Sequence, residues 1–195
     1  IRRPCMSQRL PPSFHRLASS NLAAQSAEQI SLAAVPIIAV LVMHAGPGEI
    51  GLLATVQTLP FLLLSVPLGL LADRVSRRRL MVWAEVLRTL SLVALLGLLL
   101  SGQLSMVWLA ILGFAGAIGT VGFSVAAPAV LPALVPPGAL ARANGRLELA
   151  RSTAFAAGPA LAGALVSWAG GPAAIVLAAL LSGSSVLRLM GLGEP

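Results

Sequence analysis

The sequence has no lysine and no tyrosine, a single cysteine, and few charges: 10% of its 195 residues are charged and 4% are aromatic. Each shortage removes a class of protein. A soluble domain carries about 25% charged residues, so water is not the main solvent of this chain. The lone Cys5 excludes an internal disulfide and a cysteine-rich metal centre. His15 in the N-terminal tail and His44 at the end of the first apolar run stand apart from other ligands. They form no metal site, which needs several converging donors. No nucleophile triad, phosphate loop or pocketed pair of carboxylates is present, so neither an enzyme nor a bound cofactor is expected. The net charge of +7 and isoelectric point near 11.8 are compatible with nucleic-acid binding. That reading needs a basic face on a soluble fold, and so apolar a chain has no room for one.

What fills the sequence is Leu, Ala, Val and Gly: 57% is hydrophobic and the mean hydropathy is +0.94. The apolar residues fall into six runs, roughly 19–44, 49–72, 80–101, 104–133, 148–168 and 171–190. Each is close to or above the ~20 residues that cross a hydrocarbon core as a helix. Turn chemistry marks the breaks, at Gly46-Pro47-Gly48, Ser101-Gly102, Pro136-Pro137-Gly138 and Gly170-Gly171-Pro172. Barrel strands would alternate over about ten residues, whereas these runs are continuous, so the expected fold is all-α and polytopic. The first run holds Glu28 and lacks a cleavage pattern, which argues against a signal peptide. The expected organisation is a cytoplasmic tail over 1–18, a six-helix transmembrane bundle over 19–190, and a loop beginning at 191–195.

All 13 basic residues are arginine, and their placement orients the bundle. Arg2, Arg3, Arg9 and Arg16 lie in the tail; Arg74, Arg77, Arg78 and Arg79 between runs 2 and 3; Arg142, Arg146 and Arg151 around the start of run 5; Arg188 at the end of run 6. The intervening loops hold none. Arginine-rich loops stay in the cytoplasm, so both chain ends are expected inside a cell membrane of bacterial type. Trp83 and Trp108 are expected at opposite interfaces of the bilayer.

Polar residues inside the spans are the candidates for function. Helix 1 carries Asn21, Gln25, Glu28 and Gln29 on one face, with Ser31 at its edge and Pro36 continuing it. Helix 2 carries Gly51, Thr55, Thr58, Ser65, Gly69 and Asp73; helix 4 carries Gly113, Gly116, Thr120, Ser124 and Ala127. The small residues of helices 2 and 4 also suit close packing alone, but Gln and Glu are not packing residues. The reading is a substrate or proton path lined by Glu28, Gln25, Gln29, Ser31, Thr58 and Thr120. Glu28 lies about nine residues, or ~14 Å, into its run. A carboxylate at that depth pairs, takes a proton or lines water, which makes Glu28 the expected proton carrier. Glu85 and Arg88, three residues apart on helix 3, are the expected intramembrane pair.

Between spans 2 and 3, Gly69-Leu70-Leu71-Ala72-Asp73-Arg74-Val75-Ser76-Arg77-Arg78 resembles the major facilitator loop signature, departing only at Ser76, where that family usually has glycine. In helix 5, Gly145, Ala154, Gly158, Pro159, Ala162 and Gly163 resemble the family's exporter motif, with Ala in place of Gly at 154 and 162. The stretch Leu140-Ala141-Arg142-Ala143-Asn144-Gly145, the Glu28-Gln29 pair and Glu85 with Arg88 are similar to the branch of bacterial siderophore and macrolide exporters. Helix 4 lacks the arginine that many proton-driven drug exporters carry. The resemblance covers the chain from about residue 14.

This resemblance implies half of a twelve-helix fold: an N-terminal bundle that rocks against a second six-helix half, with a small molecule bound between them near the midplane. It implies an efflux permease for amphipathic compounds, with protons as a further partner. Gly69 is expected to allow close helix approach, and Asp73, Arg74, Arg77 and Arg78 to form part of a cytoplasmic latch. Met6 is a candidate true start, and Glu194-Pro195 falls where the family's central loop would begin, so a fragment or truncated frame is expected. The alternatives are a six-helix subunit acting as a dimer and a non-transporting membrane scaffold.

Overall fold

A computed structural model describes residues 10–191. Arg2, Arg3, Cys5, Met6, Arg9, Glu194 and Pro195 lie outside the described residues, as does the side chain of Asp73. The described chain is all-α, with no strands: α1 (Pro12–Met43), α2 (Pro47–Arg74), α3 (Arg77–Leu100), α4 (Met106–Leu134), α5 (Leu140–Ala169) and α6 (Gly171–Met190), plus a 3₁₀ turn at Pro137–Ala139 before α5. All six helices are long and apolar enough to cross a membrane.

The helices outrun the apolar runs where local chemistry favours them. Helix α1 begins seven residues before the apolar run, with Pro12 in the first turn, where a missing N–H is harmless. Helix α5 begins at Leu140, eight residues early, because Leu140, Ala143 and Leu147 form an amphipathic turn whose apolar side is covered. Ser76 and Ser105 cap α3 and α4 by accepting from the N–H groups of Arg79 and Trp108. Ser76 has φ −62, so its backbone has no need of glycine. Helix α1 ends at His44, whose φ of 54 closes the helix in the left-handed conformation.

The principal contacts run α2–α4–α3–α6–α1–α5, an arc in which α3 and α6 form the back. Helices α1 and α4 meet in the middle, and α2 and α5 stand at the rims. Exchanging the first three helices with the last three maps this pattern onto itself: α3–α4 becomes α6–α1, and α2–α4 becomes α5–α1. Since α1 and α4 run in opposite directions, the bundle is built as a three-helix unit and its inverted copy.

The loops that carry arginine gather at one end. The Arg16 guanidinium donates to the Gly191 carbonyl, Arg188 Nη1 to Ser19 O at 3.0 Å, and Arg77 Nη1 to Ala129 O at 2.6 Å. Arg78 reaches the last carbonyls of α6, Leu189 at 3.2 Å and Met190 at 2.6 Å. Cations there offset the negative end of the helix dipole.

The apolar core is divided in two. One cluster, around Phe14, Leu17, Met81, Phe123 and Leu131, lies toward the arginine-rich end. The other, around Ile30, Ile38, Leu53, Leu95 and Ile175, lies toward the opposite end. Between them runs a belt of polar side chains.

Candidate functional site

The belt sits at mid-height. Glu28, Arg88, Thr120 and Ser182 each fall within two residues of the midpoint of α1, α3, α4 and α6. The arc of helices brings these midpoints together, and Arg88 is the hub. Its Nη1 donates to Glu85 Oε1 at 2.5 Å and to the Ala24 carbonyl at 3.2 Å; its Nη2 donates to Thr120 Oγ1 at 2.7 Å. A charge at this depth is tolerated only with such partners, and charge-assisted bonds are the strong ones.

Glu85 is completely enclosed, with 0% of its side chain exposed. Its second oxygen accepts from Ser182 Oγ at 3.0 Å. Thr89 joins the cluster, bonded to the Glu85 carbonyl at 2.8 Å and 2.9 Å from the Ser182 hydroxyl. Every buried side-chain nitrogen and oxygen among the described residues has a partner. Sequence reading missed Ser182. Its only signal is a hydroxyl within the Ser182-Gly183-Ser184-Ser185 run of an otherwise apolar span.

Glu28 is held differently. Its Oε2 lies 3.9 Å from Arg88 Nη2, beyond hydrogen-bond reach, and 13% of its side chain remains accessible. It borders two cavities. The smaller, about 60 Å³, lies on the side away from the arginine-rich end and is lined by Ser31, Gln57, Arg88, Gly113 and Thr120 among others. The larger, about 850 Å³, opens between α1, α2, α4 and α5 and is lined by Asn21, Gln25, Glu28, Gln29, Thr120 and Arg151 among others. Arg151 is 3.9 Å from Glu148 and stacks over the Phe155 ring at 5.5 Å.

Asn21, Gln25, Glu28 and Gln29 of the helix 1 stripe therefore border the larger cavity, although Asn21 and Gln29 are themselves buried. Asn21 donates to the Leu147 carbonyl at 3.3 Å, which ties α1 to α5. Ser31 bonds back to the Glu28 carbonyl at 2.9 Å. Thr58 is not brought to this group: it is exposed on α2, borders neither cavity, and satisfies its hydroxyl on the carbonyls of its own helix. Gln57, its buried neighbour, was not anticipated; it packs against Gly113, where a Cβ would lie 2.7 Å from its Nε2.

The glycines divide by use. A Cβ on Gly158 would lie 2.4 Å from the Gln29 Cβ, so α1 and α5 approach at the belt, flanked by buried Ala154 and Ala162. A Cβ on Gly119 would lie 2.4 Å from the Ala84 carbonyl oxygen, which brings α4 against α3 beside Arg88. Gly69 meets no neighbour inside this bundle: nothing lies within 4 Å of a Cβ there. The same holds for Gly145 and Gly163, while Pro159 is exposed on α5. In the 2–3 loop Arg74 is exposed, and Arg77 and Arg78 bond to carbonyls of α4 and α6, elements of the same bundle. No cluster of three metal-ligating side chains occurs among the described residues.

No curated protein and no solved structure matches the chain with significance. Residues 17–195 match the family described as Major Facilitator Superfamily, which takes in all six helices and the whole belt. The chain belongs to the Major Facilitator Superfamily of membrane transporters.

Proposed function

We propose that this bundle is one half of a secondary active exporter of small amphipathic compounds, working by alternating access against a second six-helix bundle. That second bundle comes from the same polypeptide or from another subunit. The observation that carries the reading is the 850 Å³ cavity, open on one side, apolar in most of its lining and polar along α1. Such a mixture suits a solute with an apolar body and a few polar groups. Left facing lipid, Gln25, Glu28 and Arg151 would be costly, so the reading gives this face a partner bundle. Export, rather than import, rests on the helix 5 resemblance and on the packing of Ala154, Gly158 and Ala162 against α1. The arginine-rich end faces the cytoplasm in this proposal.

Charge counting makes Glu28 the coupling group. Around Arg88 stand two carboxylates, Glu85 and Glu28, so the belt is neutral when it holds one further proton or cationic group. Glu85 is sealed by Arg88 and Ser182, whereas Glu28 meets the cavity. Arg151 and Glu148, the other charged residues lining this cavity, offset each other. A proton or substrate cation therefore exchanges at Glu28.

The test is efflux of amphipathic dyes from cells carrying the complete transporter, with and without a proton gradient. Glu28→Gln is expected to abolish the gradient dependence while the protein still reaches the membrane. Gradient-driven efflux that survives the substitution overturns the role of Glu28. Absence of any dye flux in the unaltered protein, or efflux by this bundle reconstituted as a monomer, overturns the half-transporter reading.

A further inference from the structure

A second groove, about 460 Å³, lies on the flank of the bundle between α1, α5 and α6, away from the polar cavity. Ser19, Ser26, Ala157, Leu177, Leu181 and Arg188 are among the residues that line it. Its shape follows from small residues on α1 and α5 set against leucines on α6. It extends along α6 from Leu177 to Arg188, eleven residues, or about 16 Å at 1.5 Å per residue. One leaflet of the hydrocarbon core is about 15 Å deep. The groove is thus as deep as a single leaflet, and its polar end lies at the arginine-rich end of the bundle.

Charge is placed at that end alone. Arg188 is exposed and spends one N–H on the Ser19 carbonyl; its other guanidinium N–H groups have no partner among the described residues. Arg16, exposed and one turn before Ser19 on α1, donates to the Gly191 carbonyl. No carboxylate lines the groove among the described residues. Two guanidinium groups therefore stand near the mouth of an apolar slot that opens to lipid. The chemistry that fits is a phosphodiester headgroup carrying net negative charge, with an acyl chain below it.

We propose that this groove binds a membrane phospholipid with an anionic headgroup, its phosphate at Arg188 with Arg16 beside it and one acyl chain along Ala157 and Leu177. Basic crevices between helices on the cytoplasmic side are suited to such headgroups. The site is separate from the transport path and does not depend on the direction of transport.

The test is lipid retention. The complete protein is reconstituted in an equal mixture of phosphatidylglycerol and phosphatidylcholine and extracted in mild detergent, and the retained lipid is measured by mass spectrometry. The unaltered protein is expected to retain phosphatidylglycerol above its share. Arg188→Gln lowers that enrichment about fivefold, the effect of one arginine near an anionic headgroup, and Arg188→Lys preserves most of it. Ala157→Phe, at an exposed position whose filling disturbs no core contact, lowers it with both arginines intact. Retention in the bulk ratio by the unaltered protein overturns the proposal. So does enrichment that survives Arg188→Gln, and so does enrichment unchanged by Ala157→Phe, which would place the headgroup on the basic surface without the groove.

Discussion

On one side of Arg88 stands Glu85, fully enclosed, bonded at 2.5 Å and capped by Ser182; on the other stands Glu28, 3.9 Å away and open to a cavity. The same guanidinium faces both carboxylates, yet their environments differ. Each carboxylate oxygen of Glu85 accepts from a donor of its own bundle, so exchanging its proton or partner would disturb the α3–α6 contact. Glu28 lacks such a lock and borders both cavities. A buried ion pair is weak grounds for added stability, but breaking one is severe, and only one of these two carboxylates is placed to be broken cheaply.

Substitutions at the belt can break this contrast or sharpen it. The largest effect is expected from Arg88→Leu, which leaves Glu85 buried without a cation and destabilises the bundle by about 3–5 kcal/mol, read as thermal unfolding in detergent. A loss of equal size from Glu28→Gln would erase the distinction. Next comes Gly119→Leu, which drives a side chain into the Ala84 carbonyl beside Arg88 and is expected to cost about 1–3 kcal/mol. Ser182→Ala removes one donor from Glu85 and is expected to cost about 1 kcal/mol; an unchanged melting temperature would show that Thr89 or water replaces it. Glu28→Gln is expected to change stability by less than about 1 kcal/mol while removing gradient-dependent efflux. Smallest is Gly145→Ala, at a site with nothing within 4 Å, expected to shift stability by less than about 0.5 kcal/mol. A large loss there would place Gly145 against something beyond this bundle.

Much of this was legible in the chain. Run lengths, turn residues and the alternation of arginine-rich loops announce six helices, because lipid forces each apolar run to satisfy its backbone internally. The helix starts were less legible: α1 and α5 extend past their apolar runs, since a helix continues wherever its turns are covered or capped, not only where it meets lipid. The face shared by Gln25, Glu28 and Gln29 was legible from periodicity. Thr58 lies away from the belt and both cavities, since spacing alone does not say which face of α2 turns toward α1. Gly69 shows a related point: glycine permits close approach but does not supply the neighbour, and within this bundle none stands there.

Sequence by itself determined the membrane class, the helix count, the family-like loop and the presence of three charges at mid-span. It could do so because these depend on local composition and on contacts within one helix. Tertiary structure alone decided that Arg88 joins Glu85 to Thr120, 32 residues away, while Ser182, 97 residues from Glu85, seals the pair and Glu28 is left facing the cavity. A helical period fixes the direction in which a side chain points relative to its own axis. What stands opposite depends on which helices are adjacent and at what height they cross, and here close approaches such as Gly119 against Ala84 and Gly158 against Gln29 set both.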